Sequence, residues 1–274
     1  MKDFRNIWRE KHVSCRIGTT SYIIPADILP NLKFLSGIVD DVELVLFESD
    51  EFSNLPTKSD VREMKTIADD SGLSFTVHLP LDAWPGAIDE NERERSVQKW
   101  LRVIDLMSLV SPFGWVVHLN DPPRISPGPE NPRAWDNWIS QCSKTIDALK
   151  RHAAPEMLCI ETLSYDYSRV YPLVVEKQCA ICIDIGHLLL TNRDIPASLD
   201  AWFDRTRIIH LHGVNDQGRD HVDISHMESD LLADLIQRLN PALETEENME
   251  RVLTLEIFSL EALEISLSVL RKTL

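Results

Sequence analysis

Histidines and carboxylates stand at the ends of short apolar runs along this chain, and that placement is the feature of the sequence that could do chemistry. The runs close in TVHLP with His78, VVHLND with His118, CIETL with Glu161, CIDIGH with Asp184 and His187, IIHLHG with His210 and His212, and TLEIF with Glu256. A single histidine in such a place is more often a hydrogen-bonded structural residue than a ligand, and a single acid is usually solvated or caps a helix. Six successive runs ending this way shift the balance. Of the nine histidines only His12 and His152 lie clearly outside the set, and gathering several acids in one pocket is costly unless a cation neutralises them. Imidazole nitrogen and carboxylate oxygen without thiolate suit zinc, manganese or iron. So many donors exceed the needs of one ion, so two or three divalent ions per chain are expected to share a bridging carboxylate, with the metal left open.

Such convergence needs a fold that brings strand ends together. The β-branched runs VSCRIGTT, DVELVLFES, LSFTVHLP, GWVVHLND, EMLCIETLS, CAICIDIGH, RIIHLHGV and VLTLEIFS number eight, and amphipathic stretches such as ERERSVQKWLRVIDLMSLVS and AWDNWISQCSKTIDALKRHA alternate with them. Eight β-then-α units in 274 residues predict an α/β fold, a single (β/α)8 TIM barrel spanning residues 1–274, whose strand C-termini meet around one axis. A doubly wound sheet is the structural alternative, but no GxGxxG or GxxxxGK[ST] follows any strand. Two connections are longer than a barrel requires: PLDAWPGAIDENERER after the third strand and DPPRISPGPENPR after the fourth. In the first, Trp84 could offer an apolar face to a ligand; in the second, Arg124 could steady a phosphate oxygen. Both loops read equally well as proline-stiffened surface.

Lys and Arg total 28 against 44 Asp and Glu, a net charge of −16. That field repels phosphate backbones and argues against nucleic acid as a partner. Apolar residues at 43% and charged ones at 26% place the chain among folded domains rather than disordered ones. The opening MKDFRNIWREKHVSC holds no apolar run able to act as a signal peptide or to span a bilayer, so a cytoplasmic protein without a membrane partner is expected. Five scattered cysteines argue against a disulfide framework, and the CxxC at Cys179 and Cys182 sits inside an apolar strand run instead of opening a helix.

The ordered set His78, His118, Glu161, DIGH from Asp184 to His187, HLHG at His210, DH at Asp220 and His221, and Glu256 resembles the xylose isomerase-like barrels, also called the AP endonuclease family 2 superfamily. The resemblance runs along nearly the whole chain, and DxGH is its most specific piece. Within that superfamily the opening IGTTSYIIPADILPN followed by DDVELVLFES is similar to the cobamide-remodelling phosphodiesterases, CbiR. The resemblance implies roles for the matching residues. His78 and His118 would hold one ion, with Glu161 bridging to a second; Asp184, His210 and Glu256 would complete the second; His187 and His221 with a nearby aspartate would hold a third. This chain departs from the pattern at that last step. The family's DxH would place an acid where Arg219 stands, whereas Asp220 directly precedes His221 and Asp223 lies beyond.

The activity implied is hydrolysis of the phosphodiester in the nucleotide loop of a small-molecule corrinoid, with ion-activated water attacking phosphorus in line with the departing alkoxide. Sugar and sugar phosphate isomerases or epimerases on this barrel need one ion, held by the equivalents of Glu161, Asp184, His210 and Glu256. In that chemistry Glu161 and Glu256 flank the substrate carbon and move its proton. The additional pair His78 and His118 favours hydrolysis, because a further ion on that side can clamp a phosphoryl oxygen. An abasic-site DNA endonuclease would share the cluster but is opposed by the −16 charge. A metal-dependent binding or scaffold protein is the non-enzymatic alternative, disfavoured by so many convergent donors. None of these motifs bears on self-association.

Overall fold

Each apolar run becomes one stave of a closed parallel barrel in the computed structural model, which describes residues 4–10, 13, 15–49, 51–120, 132–239 and 250–274. The strands are β1 (Cys15–Thr20), β2 (Asp41–Val45), β3 (Ser74–His78), β4 (Gly114–Val117), β5 (Leu158–Glu161), β6 (Ala180–Asp184), β7 (Thr206–Leu211) and β8 (Arg251–Leu255). They follow one another around the barrel in sequence order, and β1 closes it by pairing with both β2 and β8, with Gly18 opposite Asp41 on one side and Thr254 on the other. Packed around them are α1 (Phe4–Glu10), α2 (Ile28–Leu35), α3 (Lys58–Ser71), α4 (Glu90–Met107), α5 (Pro132–Leu149), α6 (Tyr171–Lys177), α7 (Ile185–Leu190), α8 (Ile195–Trp202), α9 (Ser229–Arg238) and α10 (Leu260–Thr273). No described helix is long and apolar enough to cross a membrane.

Period-two alternation splits the strands into two apolar populations. Outward residues such as Ile17, Val42, Phe75, Ile160 and Leu253 join the helices in the main core. Inward residues Val116, Cys159, Ala180, Cys182, Ile208 and Val252 form a separate plug inside the barrel. The guanidiniums of Arg207 and Arg16 lie 4.1 and 5.1 Å from the centre of the Phe113 ring, which belongs to the same plug. A filled interior is what makes the strand ends above it a rigid floor rather than a pore. Cys179 falls in the outer core and Cys182 in the plug; both are buried and free, so the CxxC spans two compartments.

Two local differences from the sequence pattern have physical causes. The run CAICIDIGH ends as a strand at Asp184, because that side chain accepts the His187 amide at 2.7 Å and caps α7. The charged opening segment forms α1, whose Phe4 and Trp8 bury one face, while Arg5 donates to Asp40 and to the carbonyls of Ser71 and Gly72. Most of the loop DPPRISPGPENPR, with Arg124, lies outside the described residues.

Candidate metal centre

The C-terminal ends of β3 to β8 deliver the sequence-predicted donors to one place. Register sets their heights: Val45 pairs with His78, Glu161 with Cys182, and Asp184 with His210. Glu161 is the hub. Its Oε2 lies 2.5 Å from His118 Nε2 and 3.5 Å from His78 Nε2, while its Oε1 faces His187 Nδ1 at 3.4 Å and His210 Nδ1 at 3.6 Å. Around His210 Nδ1 also stand Glu256 Oε2 at 3.3 Å and Asp184 Oδ2 at 3.9 Å. Glu161, Asp184, His210 and Glu256 are all buried.

The atoms at the middle of this group have no hydrogen bond among the described residues. Glu161 Oε1, Asp184 Oδ2, His210 Nδ1 and Glu256 Oε2 are buried and unpartnered, which is costly for polar groups and unusual in a folded protein. Three carboxylate oxygens and one imidazole nitrogen converging without partners are the donor set a divalent cation satisfies. His78, His118 and Glu161 form a second group whose ligand atoms lie within reach of a single ion.

Backbone and carboxylate contacts turn the rings the right way. His78 Nδ1 lies 3.0 Å from the Leu79 carbonyl and donates to it, leaving Nε2 to face Glu161. His210 donates from Nε2 to Glu43 Oε2 at 2.9 Å, which turns its Nδ1 toward the other donors. Carboxylate–imidazole pairs of this kind fix the tautomer of a metal-ligating histidine. Glu43, fully buried on β2, was not among the sequence-predicted residues. An acid on an inward position of a strand was the signal for it.

Charge compensation within the cluster is local. Burial pushes the His78 imidazole down, but Glu161, Glu43 and Glu256 around it carry it up to about 9. Burial likewise opposes the proton on His221, and Glu256 with Asp220 raises it to about 9. Burial would lift the Glu161 carboxyl, yet His118 and His210 hold it well below the usual carboxylate range. Glu256 behaves the same way under His210 and His221. Without cations, then, protonated imidazoles neutralise the buried acids.

The β7 end holds a second layer. His212, fully buried, stacks on His221 with ring centres 4.2 Å apart and planes at 9°. Its Nδ1 accepts the His221 amide at 3.0 Å, and its Nε2, without a hydrogen-bond partner among the described residues, faces Asp184 Oδ1 at 3.3 Å and Glu256 Oε2 at 3.8 Å, so it joins the groups able to hold a cation. Gly186 of the DIGH motif makes room for it: a Cβ there would stand 1.9 Å from His212 Cε1. His221 reaches Glu256 Oε2 at 3.4 Å from a backbone with φ of 52°, a left-handed conformation uncommon outside glycine. Asp220 contacts His221 Nδ1 at 3.2 Å at the outer edge. Asp223 is engaged elsewhere, capping a turn through Ser225. Arg219 is exposed in the preceding turn. Trp84 sits apart from the donors: its amide donates to Ser96 Oγ on α4, and it lines a cavity of about 210 Å³ with Arg95 and Lys99.

The family model of the xylose isomerase-like TIM barrel, AP endonuclease 2, matches residues 37–273. Solved structures share the architecture across 94% of this chain. One is a D-tagatose 3-epimerase-like protein, 17% identical with a TM-score of 0.73 over 96% of its own length. Another is the 3-keto-D-glucoside 4-epimerase YcjR from E. coli, 16% identical with a TM-score of 0.66 over 98% of its length. A third is endonuclease IV from Thermus thermophilus, 15% identical with a TM-score of 0.62 over 99% of its length. No curated protein matches the sequence. Fold, strand order and the extent of the family match together establish that the chain belongs to the xylose isomerase-like TIM barrel family.

Proposed function

We propose that this protein is a metal-dependent phosphodiesterase holding at least two divalent ions, of which zinc, manganese and iron suit the donors and zinc is chosen on the family resemblance. One observation carries the reading: Glu161 presents one oxygen to His78 and His118 and the other, unpartnered, toward His210, which is how a carboxylate bridges two cations. One ion would be held by His78, His118 and Glu161, and the next by Glu161, Asp184, His210 and Glu256. His187 beside Asp184, and His221 beside Asp220, are the residues available to a third. Bound there, divalent ions supply Lewis-acid activation of water and of phosphoryl oxygens. The chain's own contribution is orientation. Glu43 and the Leu79 carbonyl hold His210 and His78 in the ligating tautomer.

The substrate class proposed is a cobamide, supported by the resemblance of residues 17–49 and by charge. With a net −16, a small molecule bearing one internally neutralised phosphodiester suits this surface better than a long polyanion. Arg124 as a phosphate contact, Trp84 as an apolar face and a cytoplasmic location belong to the same proposal. A second reading, a sugar or sugar phosphate epimerase with Glu161 and Glu256 exchanging the proton, is supported by the four unpartnered atoms around His210 and by the epimerases of similar fold.

Metal counting on purified protein, followed by assays on a corrinoid, an abasic duplex and a ketose panel, separates the readings. Release of a lower-ligand product from the corrinoid is expected, with its loss in His118→Ala while the circular dichroism spectrum is kept. Ketose interconversion without diester cleavage would replace the hydrolase by the epimerase.

A further inference from the structure

A thiol reaches the donors from the side of the barrel plug. Cys182 is the inward residue of β6 between Ala180 and Asp184; it pairs with Glu161 of β5 and stands beside Ile208, one inward step short of His210, on β7. The side chain is fully buried. Its sulfur, a carboxylate oxygen of Glu161 and a ring nitrogen of His210 all lie within 4.8 Å of one another. Neighbouring thiols turn to backbone instead: Cys159 Sγ lies 3.6 Å from the Met157 carbonyl and Cys179 Sγ 4.0 Å from the Lys177 carbonyl. Among the described residues no other cysteine joins a group of this kind.

Distance and donor chemistry both admit a cation here. Metal bonds to imidazole, carboxylate and thiolate run about 2.0–2.3 Å, so one ion spans donors about 4 Å apart and the group closes around it with shifts below about an ångström. Glu161 and His210 each carry a buried atom without a hydrogen bond among the described residues, Oε1 and Nδ1. The plug around the sulfur, with Val116, Ala180, Ile208 and Val252, is apolar and offers no competing donor. Glu161 and His210 therefore belong to two donor sets. With Asp184 and Glu256 they present only oxygen and nitrogen; with Cys182 they present a sulfur, the donor that soft cations prefer.

We infer that Glu161, Cys182 and His210 form an alternative site for a soft, thiophilic cation of the cadmium(II) or copper(I) class, held in place of the ion that Glu161, Asp184, His210 and Glu256 would take. A soft cation so held blocks the chemistry of the ion it replaces. The inference rests on the metal-centre reading for Glu161 and His210 and not on which bond the protein cleaves. On binding, the Cys182 S–H bond breaks, its proton passes to the buffer and a sulfur–metal bond forms, with no change of oxidation state. The probe is cadmium(II) chloride titrated into the metal-free full chain, followed by thiolate-to-cadmium charge-transfer absorbance and by cadmium NMR. The absorbance band grows in the wild type and in Cys159→Ala and is lost in Cys182→Ala. In the wild type the cadmium resonance takes the low-field position of a sulfur-bound ion, a readout that needs no variant to fold. A resonance in the range of oxygen and nitrogen ligation, or a band that survives Cys182→Ala, overturns the site. Zinc binding, read by chelator competition, separates the two readings. Zinc held without a cadmium–sulfur signal removes the soft-cation site alone, whereas a protein that holds neither metal loses the site and the metal centre together.

Discussion

Loading the centre with zinc must expel protons, and the structure says how many. A ligating imidazole has to be neutral, yet His78 and His221 both titrate near 9 because buried acids surround them. At pH 8 a group with that pKa is about 90% protonated, so His78 releases about one proton to the first proposed ion and His221 about one more to the third, roughly two when all sites load. Ordinary imidazoles, titrating near 6.5, would release less than about a tenth of a proton together at that pH. Calorimetric titration of zinc into metal-free protein, repeated in buffers of different ionisation enthalpy, reads the number directly. The release falls to about half a proton at pH 9.5, and the overall affinity climbs by up to about 100-fold per pH unit between pH 7 and 8.5 before levelling off. The same shifts bear on folding. A histidine whose folded pKa exceeds its unfolded value stabilises the protein fully below about 6.5, and that contribution is lost as pH rises through about 9. For His78, with a side chain only 4% exposed, it is on the order of 3 kcal/mol. The metal-free protein therefore melts at lower temperature at pH 9.5 than at pH 6.5, and the zinc-loaded protein does not show that loss. Proton release near zero at pH 8 would refute the claim that imidazolium ions balance the buried acids.

Two substitutions test the supports of the centre. Glu43→Ala frees His210 Nε2 and lowers zinc affinity by about 10- to 100-fold, measured by chelator competition, whereas Glu43→Gln keeps an acceptor for that proton and retains most of the affinity. An equal loss in the two variants would mean that Glu43 acts by charge and not by orienting the ring. Gly186→Ala drives a methyl group into His212, so overpacking costs about 1–3 kcal/mol in a thermal melt. Metal counting should show the ions nearest Asp184 lost while the one at His78 and His118 is kept.

Much of the architecture could be read from the linear pattern. Eight β-branched runs separated by amphipathic stretches leave few alternatives to a barrel, and each donor-bearing run did end at the barrel's C-terminal face. The boundaries were less legible. Nothing in CAICIDIGH marks Asp184 as both strand end and helix cap, because that depends on where its side chain finds the His187 amide. Glu43 was hidden for another reason. In sequence it is one more acid in a strand, and only the closure that sets β2 opposite His210 gives it a task; His212 was legible as a strand-end donor, but its fit against Gly186 was not. Trp84 lies in the long loop after β3, and that its amide is fixed to α4 and that it lines a cavity with Arg95 and Lys99 is likewise a matter of tertiary placement.

The linear chain by itself determined which residues alternate between the two faces of each strand, since side-chain direction along a strand is a local matter of backbone geometry. It therefore determined that imidazoles and acids would recur at the same end of successive staves. Only the tertiary structure decided which oxygen of Glu161 turns toward which ring and which nitrogen of His210 is left without a partner among the described residues. Those choices depend on distances between residues more than a hundred positions apart, such as Glu43 and His210, and such distances exist only once β8 has closed on β1.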